Sequence, residues 1–238
     1  GGFSFIHKLL SDSIRREASR RGVARELHAV CGEVLAMLYE RNPARIWERL
    51  ASHRLKAGDW EGAVEPLEAV ARKELASGDL VSAQGTLRQH QEALDALDVD
   101  GFDRRRVENW LLSGMLNMRA GDPAAAELEF QRVMNVASPQ RWRLPVALAQ
   151  RGLGELAAHA GRLVEALEAY TRAEGYFGSE ADPDELATIY EARAEVHKAL
   201  GNTAFAITDL EQALDLHRGS GDTVQELNVY SRLAATLL

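Results

Sequence analysis

Apolar positions along this chain recur at three- and four-residue intervals, the spacing of a helix with one buried face. In AGDWEGAVEPLEAVARKELASGDL (57–80) that pattern is bounded by the same dipeptide at each end, Gly58-Asp59 and Gly78-Asp79, twenty residues apart. Twenty residues make one helix plus one turn. A glycine that closes a helix adopts the left-handed conformation without a Cβ penalty, and the aspartate after it can cap the next helix. Alternation at period two, the mark of a half-buried strand, is missing apart from Phe3-Ser4-Phe5. Ala, Leu, Glu and Arg, all good helix formers, dominate the composition. The sequence predicts an all-α fold.

The corner recurs at a fixed interval. Gly78, Gly121, Gly161 and Gly201 stand 43, 40 and 40 residues apart. Five positions after each glycine comes Ala83, Ala126, Ala166 or Ala206, and four further on Leu87, Phe130, Tyr170 or Leu210. Seven positions before it are Ala71, Gly114, Gly154 and Ala194; eleven before are Leu67, Trp110, Gln150 and Tyr190. Small residues facing each other let two antiparallel helices approach closely, and the large ones fill the space beside them. The unit is a helical hairpin, which cannot bury its apolar face alone and must stack. Asp79, Asp122 and Asn202 stand where a cap is needed, while Arg162 breaks the rule; Pro123 follows its cap at a position where a missing N–H costs nothing.

The skeleton of large residue, small residue, Gly-Asp, Ala and aromatic resembles the tetratricopeptide repeat. WLLSGMLNMRAGDPAAAELEFQRV (110–133), LGELAAHAGRLVEALEAYTRA (153–173) and YEARAEVHKALGNTAFAITDLEQAL (190–214) carry the likeness. It implies a right-handed superhelical solenoid of antiparallel hairpins. The period of 40 exceeds the family's usual length of about 34, so the connections at 138–143 and 178–185 are expected to be long. The expected hairpins are 59–97, 103–138, 142–177 and 183–218. A helix at 43–57, started at Pro43 and carrying Trp47 and Leu50, precedes them. A final helix at 222–238 follows, with Tyr230 and Ala234 in the register of Tyr190 and Ala194. A natural array end has a polar outer face, so the terminal LAATLL reads as an interrupted array.

Residues 1–42 fall outside the repeat and read as a helical lead-in, two helices at roughly 6–20 and 22–41 split near Gly22. Phe-x-Phe-x-His, an arginine-rich helix, Glu-Leu-His, and LASHRLKAGD at 50–59 are similar to the segment that joins a STAND-type signalling ATPase to its repeat array. Such ATPases occur in LuxR-type transcriptional regulators and in bacterial proteins with kinase or cyclase modules. The resemblance implies a nucleotide-binding module upstream of Gly1.

A net charge of −8 argues against a general nucleic-acid binder, although residues 1–41 hold seven Lys/Arg against five acids. The arginine-rich IRREASRRGVAR (14–25) is expected to be a solvated helix face. One cysteine, Cys31, excludes an intrachain disulfide and points to a reducing, cytoplasmic compartment. No apolar run is long enough to span a membrane, and no signal peptide is visible.

Candidate chemistry is sparse. P-loop, zinc-protease, nucleophile-elbow, dinucleotide-binding and kinase signatures are all missing, so neither a catalytic residue nor a cofactor is expected. His28 and Cys31 lie one helical turn apart, two ligands where a structural zinc site takes four; a buried thiol beside a half-exposed imidazole is the expected arrangement. His159 and His197 fall on neighbouring first helices in different registers, and Glu191 and Glu195 read as a solvated face. Trp47, Trp60 and Trp110 are expected in the core, and Trp142, between Arg141 and Arg143, either plugs a gap or is an exposed anchor.

In tetratricopeptide arrays the first helices line a concave groove that holds partner peptides. Transferring those positions by resemblance gives Glu65, Glu68 and Arg72 in the first hairpin, then Glu108, Leu111, Met115 and Arg119 in the second. The third supplies Arg151, Glu155 and His159, and the fourth Thr188, Glu191, Glu195 and Lys198. Met115 and Met118 beside Leu111 form an expected apolar seat. Members that clamp a peptide carboxylate use Lys and Asn at some of these positions. Here Glu68, Leu111, Arg151 and Glu191 replace the Lys, and Arg72, Met115, Glu155 and Glu195 the Asn, so that clamp is not expected. The expectation is a non-catalytic scaffold that binds a protein or peptide in its groove. The alternative is a purely architectural, self-associating array.

Overall fold

The structure, a computed structural model, describes residues 8–177 and 182–237. The helices are α1 (Lys8–Arg20), α2 (Ala24–Leu38), α3 (Trp47–Ala57), α4 (Trp60–Ser77), α5 (Leu80–Ala96) and α6 (Arg104–Arg119). They continue as α7 (Pro123–Ala137), α8 (Arg143–His159), α9 (Leu163–Phe177), α10 (Pro183–Ala199), α11 (Thr203–Ser220) and α12 (Thr223–Leu237). No strand occurs among the described residues; Phe3-Ser4-Phe5 lies outside them. The fold is all-α, with consecutive helices packed on one another from α1 to α5 and from α7 to α12, in the manner of an α-solenoid. The chain forms two compact units, one ending at Asn109 and the other beginning at Trp110, both residues of α6. Among the described residues no helix is long and apolar enough to cross a membrane.

The local rules act as the sequence dictates. Gly78 closes α4 at φ 78°, and its N–H and that of Asp79 bond the carbonyls of Leu75 and Glu74, at 3.1 and 3.0 Å. Asp59, Asp79 and Asp122 accept from the backbone N–H of Gly62, Ser82 and Ala125 at 2.9–3.1 Å, each capping the helix that follows. Asn202 departs from the expectation: its side chain caps nothing, and its contribution to α11 is the carbonyl that accepts from Ala206 N at 3.1 Å. Pro43 opens a short 3₁₀ turn, and α3 begins only at Trp47, because Ile46 turns inward to pack with Leu35 and Leu50.

Packing in the first unit joins α3, α4 and α5 through Ala51, Ala63, Val64, Leu67, Ala93 and Leu94, all buried. In the second unit Ala147, Ala166, Tyr170, Ala173 and Ile189 join α8, α9 and α10. Ala187, Tyr190, Ala206, Leu210 and Val229 do the same for α10, α11 and α12. Ala83, Ala126, Ala166 and Ala206 are each 0% exposed, as close helix approach demands. The ring of Phe130 on α7 lies against Gly114 of α6 on one side and Gly152 of α8 on the other. A Cβ at Gly114 would stand 2.6 Å from Phe130 Cε1, and one at Gly152 would strike the ring tip. Gly154 receives Tyr170 in the same way, with Cε1 2.8 Å from a Cβ placed there. One aromatic thus fastens its own hairpin and the next. On α12, Tyr230 and Ala234 are exposed, and the Arg218 guanidinium of α11 lies over the Tyr230 ring, 5.5 Å from its centre.

Candidate functional site

In the first unit, α4 carries Glu65, Glu68 and Arg72. Glu65 is exposed. The Arg72 guanidinium bridges Glu68 at 3.0 Å and Glu108 of α6 at 2.8 Å, so two successive first helices are tied by the residues assigned to the groove. Burial holds the Glu108 carboxyl above the usual carboxylate range, against the pull of Arg72.

In the second unit the candidates converge. Met115 and Arg119 of α6, Arg151, Glu155 and His159 of α8 and Thr188 of α10 line one cleft of about 530 Å3, together with Met118 and Glu185. The α-helical spacing explains this: residues three and four apart share a face, and equivalent positions on α6, α8 and α10 are one repeat apart. Arg151 is paired with Glu185 and lies 3.6 Å from Glu155. Burial raises the Glu155 pKa, while the positive charges of Arg151, His159 and Arg119 oppose the rise. The cleft therefore combines a thioether seat with balanced charges.

Leu111 does not join it. The residue is 1% exposed and belongs to the core, because the helix turns that position inward beside Leu112; only Met115 and Met118 form the seat. Glu191, Glu195 and Lys198 also lie away from this cleft. Glu191 bonds His217 of α11 at 2.9 Å and the Arg232 guanidinium of α12, and Arg232 reaches Glu195 at 3.1 Å. Lys198 Nζ lies 3.4 Å from Glu195. A neighbouring hollow of about 450 Å3 is lined by Asp184, Thr188, Glu191, His217 and Arg232. Glu191 is accordingly half-buried in a network, not the solvated side chain its helical spacing suggested.

Sequence reasoning missed Glu185, His217 and Arg232. The only available signal was distance along the chain, and it served one pair: Glu191 to Arg232 spans 41 residues, near one repeat, whereas Arg151 to Glu185 spans 34. It also missed a part-buried triad, in which Arg193 bonds the buried Asp209 at 2.7 Å and the half-buried Glu174 at 2.5 Å, tying α9, α10 and α11. Burial works against this guanidinium's charge, yet its bonds to Asp209 and Glu174 hold its pKa above the ordinary value.

The remaining candidates separate. His159 faces the cleft, whereas His197 stacks on Phe205 with ring centres 5.2 Å apart, so the two share no site. Cys31 is exposed, contrary to the expected buried thiol, because Gly32 and Leu35 form the buried side of α2. His28 meets His53 of α3, Nδ1 to Nδ1 at 3.0 Å. Among the described residues no three His, Cys, Asp or Glu side chains are placed to share a metal ion. Trp60 is 37% exposed at the start of α4, not in the core; Trp47, Trp110 and Trp142 are half-buried.

No protein-family model matches the chain, and no match was found among curated proteins. Among solved structures it is similar to a crystal structure of BtubC (BKLC) from P. vanneervenii, with 15% identity and a TM-score of 0.54, over 90% of this chain and 89% of that one. That likeness is one of fold.

Proposed function

We propose that this chain is a non-catalytic, tetratricopeptide-like interaction scaffold that holds a protein or peptide segment in the cleft of its second unit. The observation that carries the reading is the convergence of Met115, Arg119, Arg151, Glu155, His159 and Thr188, from three first helices, on one cleft of about 530 Å3. Methionines adapt to different apolar side chains, and paired arginines and glutamates exchange partners at modest cost, so the cleft suits a mixed-charge segment with an apolar anchor. The likeness of residues 3–59 to the segment that follows a STAND-type ATPase supports a bacterial signalling context, in the cytoplasm. A P-loop upstream in the parent reading frame is the observation that tests that part.

Selection from a random peptide library displayed on phage tests the binding. Sequences enriched on the chain should lose at least about tenfold in affinity on Arg119→Glu or Met115→Glu, the scale of one lost charge-assisted contact or anchor. They should be indifferent to Val164→Glu on the exposed side of α9. No enrichment, or equal loss in all three variants, refutes the proposal.

One observation favours a second reading, a scaffold with no dedicated ligand. The charges assigned to the groove already pair across hairpins: Arg72 with Glu108, Arg151 with Glu185, and Arg232 with Glu191. A chain that self-associates over a range of concentrations in light scattering, and enriches no peptide, fits that reading instead.

A further inference from the structure

A further cavity lies in the first unit, lined by none of the residues transferred by resemblance. It measures about 710 Å3 and opens between α1, α2 and α3. Its walls differ in character. Ile14, Ala18 and Leu27 give an apolar side, to which the small thiol of Cys31 adds. Arg49 and Lys56 of α3 and the imidazoles of His28 and His53 give the other. Among the described residues Glu48 is the one carboxylate lining it, and that side chain is bound to Lys73 at 2.7 Å.

Two of its apolar residues are not spent on the core: Ile14 is 45% exposed and Leu27 48%. Arg25 donates to the carbonyl of Ala57 at 2.6 Å, and Gly32 packs on the Arg54 side chain, so α2 and α3, two of the helices that line the cavity, are held together. The histidine pair also has a defined proton inventory. With Nδ1 atoms 3.0 Å apart, one ring donates and the other accepts, and the accepting ring then carries its proton on Nε2.

We propose that this cavity binds a small amphipathic carboxylate from solution, an apolar chain against Ile14, Ala18 and Leu27 with its negative head between Arg49, Lys56 and the histidine pair. The size is that of a small-molecule pocket, and its layout of an apolar wall with a few convergent polar groups is the usual one. Charge decides the head group. The field on His53 supports this: burial first, then the positive charges of His28, Lys56 and Arg49, hold its pKa below the ordinary value. Burial, the first of those causes, disfavours any charge, so it is the nearby Lys56 and Arg49 that favour a negative head group.

The test uses the full chain and its single cysteine as reporter. Octanoate, kept below its micelle concentration, is titrated while Cys31 is alkylated by N-ethylmaleimide, an uncharged reagent. Saturating octanoate should slow alkylation at least tenfold, and 1-octanol should need about tenfold more to do so, since two partly screened ion pairs are worth about that factor. Arg49→Gln with Lys56→Gln should raise the half-protecting octanoate concentration by a similar factor. Leu27→Asp should abolish protection. All these positions are exposed, and an unchanged far-UV spectrum verifies folding. The proposal is overturned by unprotected Cys31, by equal protection from octanol, by indifference to the Arg49 and Lys56 changes, or by protection that grows with protein concentration alone, which would make a second copy the occupant.

Discussion

Replacing Gly152 with alanine isolates the contact that fastens one hairpin to the next. In a helix interior alanine is favoured over glycine by about 1 kcal/mol, so propensity alone predicts stabilisation. The structure predicts the reverse. A Cβ at Gly152 meets three atoms of the Phe130 ring, with Cε2 at 2.5 Å and Cε1 at 2.9 Å, and Phe130 is 0% exposed with nowhere to retreat. Overpacking of that kind costs about 1–3 kcal/mol. The net expectation for Gly152→Ala is a loss of about 1 kcal/mol, or roughly 2–4 °C in Tm for a chain of this size. Phe130→Leu deletes the ring atoms that collide, so in that background Gly152→Ala should stabilise by about 1 kcal/mol. The sign reversal corresponds to a coupling of about 2 kcal/mol, readable in a double-mutant cycle from urea midpoints at constant m-value followed by circular dichroism. Stabilisation by the same amount in both backgrounds would refute the contact.

Acid should weaken the first unit through His90, which is 0% exposed, bonded to Asn109 at 2.9 Å, and lowered to about 4 by burial. Between pH about 6.5 and about 4 the unfolded chain holds a proton the folded one lacks, so stability should fall by up to about 3 kcal/mol as pH drops through that window. Urea midpoints of wild type and His90→Gln measured across it should diverge, and parallel curves would exclude His90 as the source. Arg193→Met should cost about 3 kcal/mol at neutral pH, because Asp209, with its side chain 6% exposed, is left buried with only His197, 3.9 Å away, beside it. Changing both residues to apolar ones should recover most of that loss, and a single-mutant cost below about 1 kcal/mol would show that the pair is not buried in solution. The phage-display selection on the cleft and the Cys31 protection experiment complete the set.

The parts of this protein that were legible in the chain are those governed by neighbours in sequence. Gly78 had to close a helix and Asp79 to cap the next, because both effects act within four residues. Apolar periodicity located the helices, and the spacing of Ala126, Ala166 and Ala206 from their glycines predicted burial on a close-packed face. The error at Leu111 has the same origin as these successes. Its helix was right, but a rotation of one residue about the axis separates a groove position from a core one, and only packing fixes that rotation.

Tertiary structure alone decided the rest. Phe130 reaching Gly152, Arg232 reaching Glu191 and His28 meeting His53 each join residues on different helices, 22, 41 and 25 positions apart. No local rule links such residues. Long side chains choose partners by where helices come to rest, and that is set by the summed fit of small and large side chains at each interface. The sequence by itself therefore determined an all-α stack of hairpins with corners at known glycines. The cleft at Arg151, the exposure of Cys31 and the cavity beside it exist only because of how those helices settle against one another.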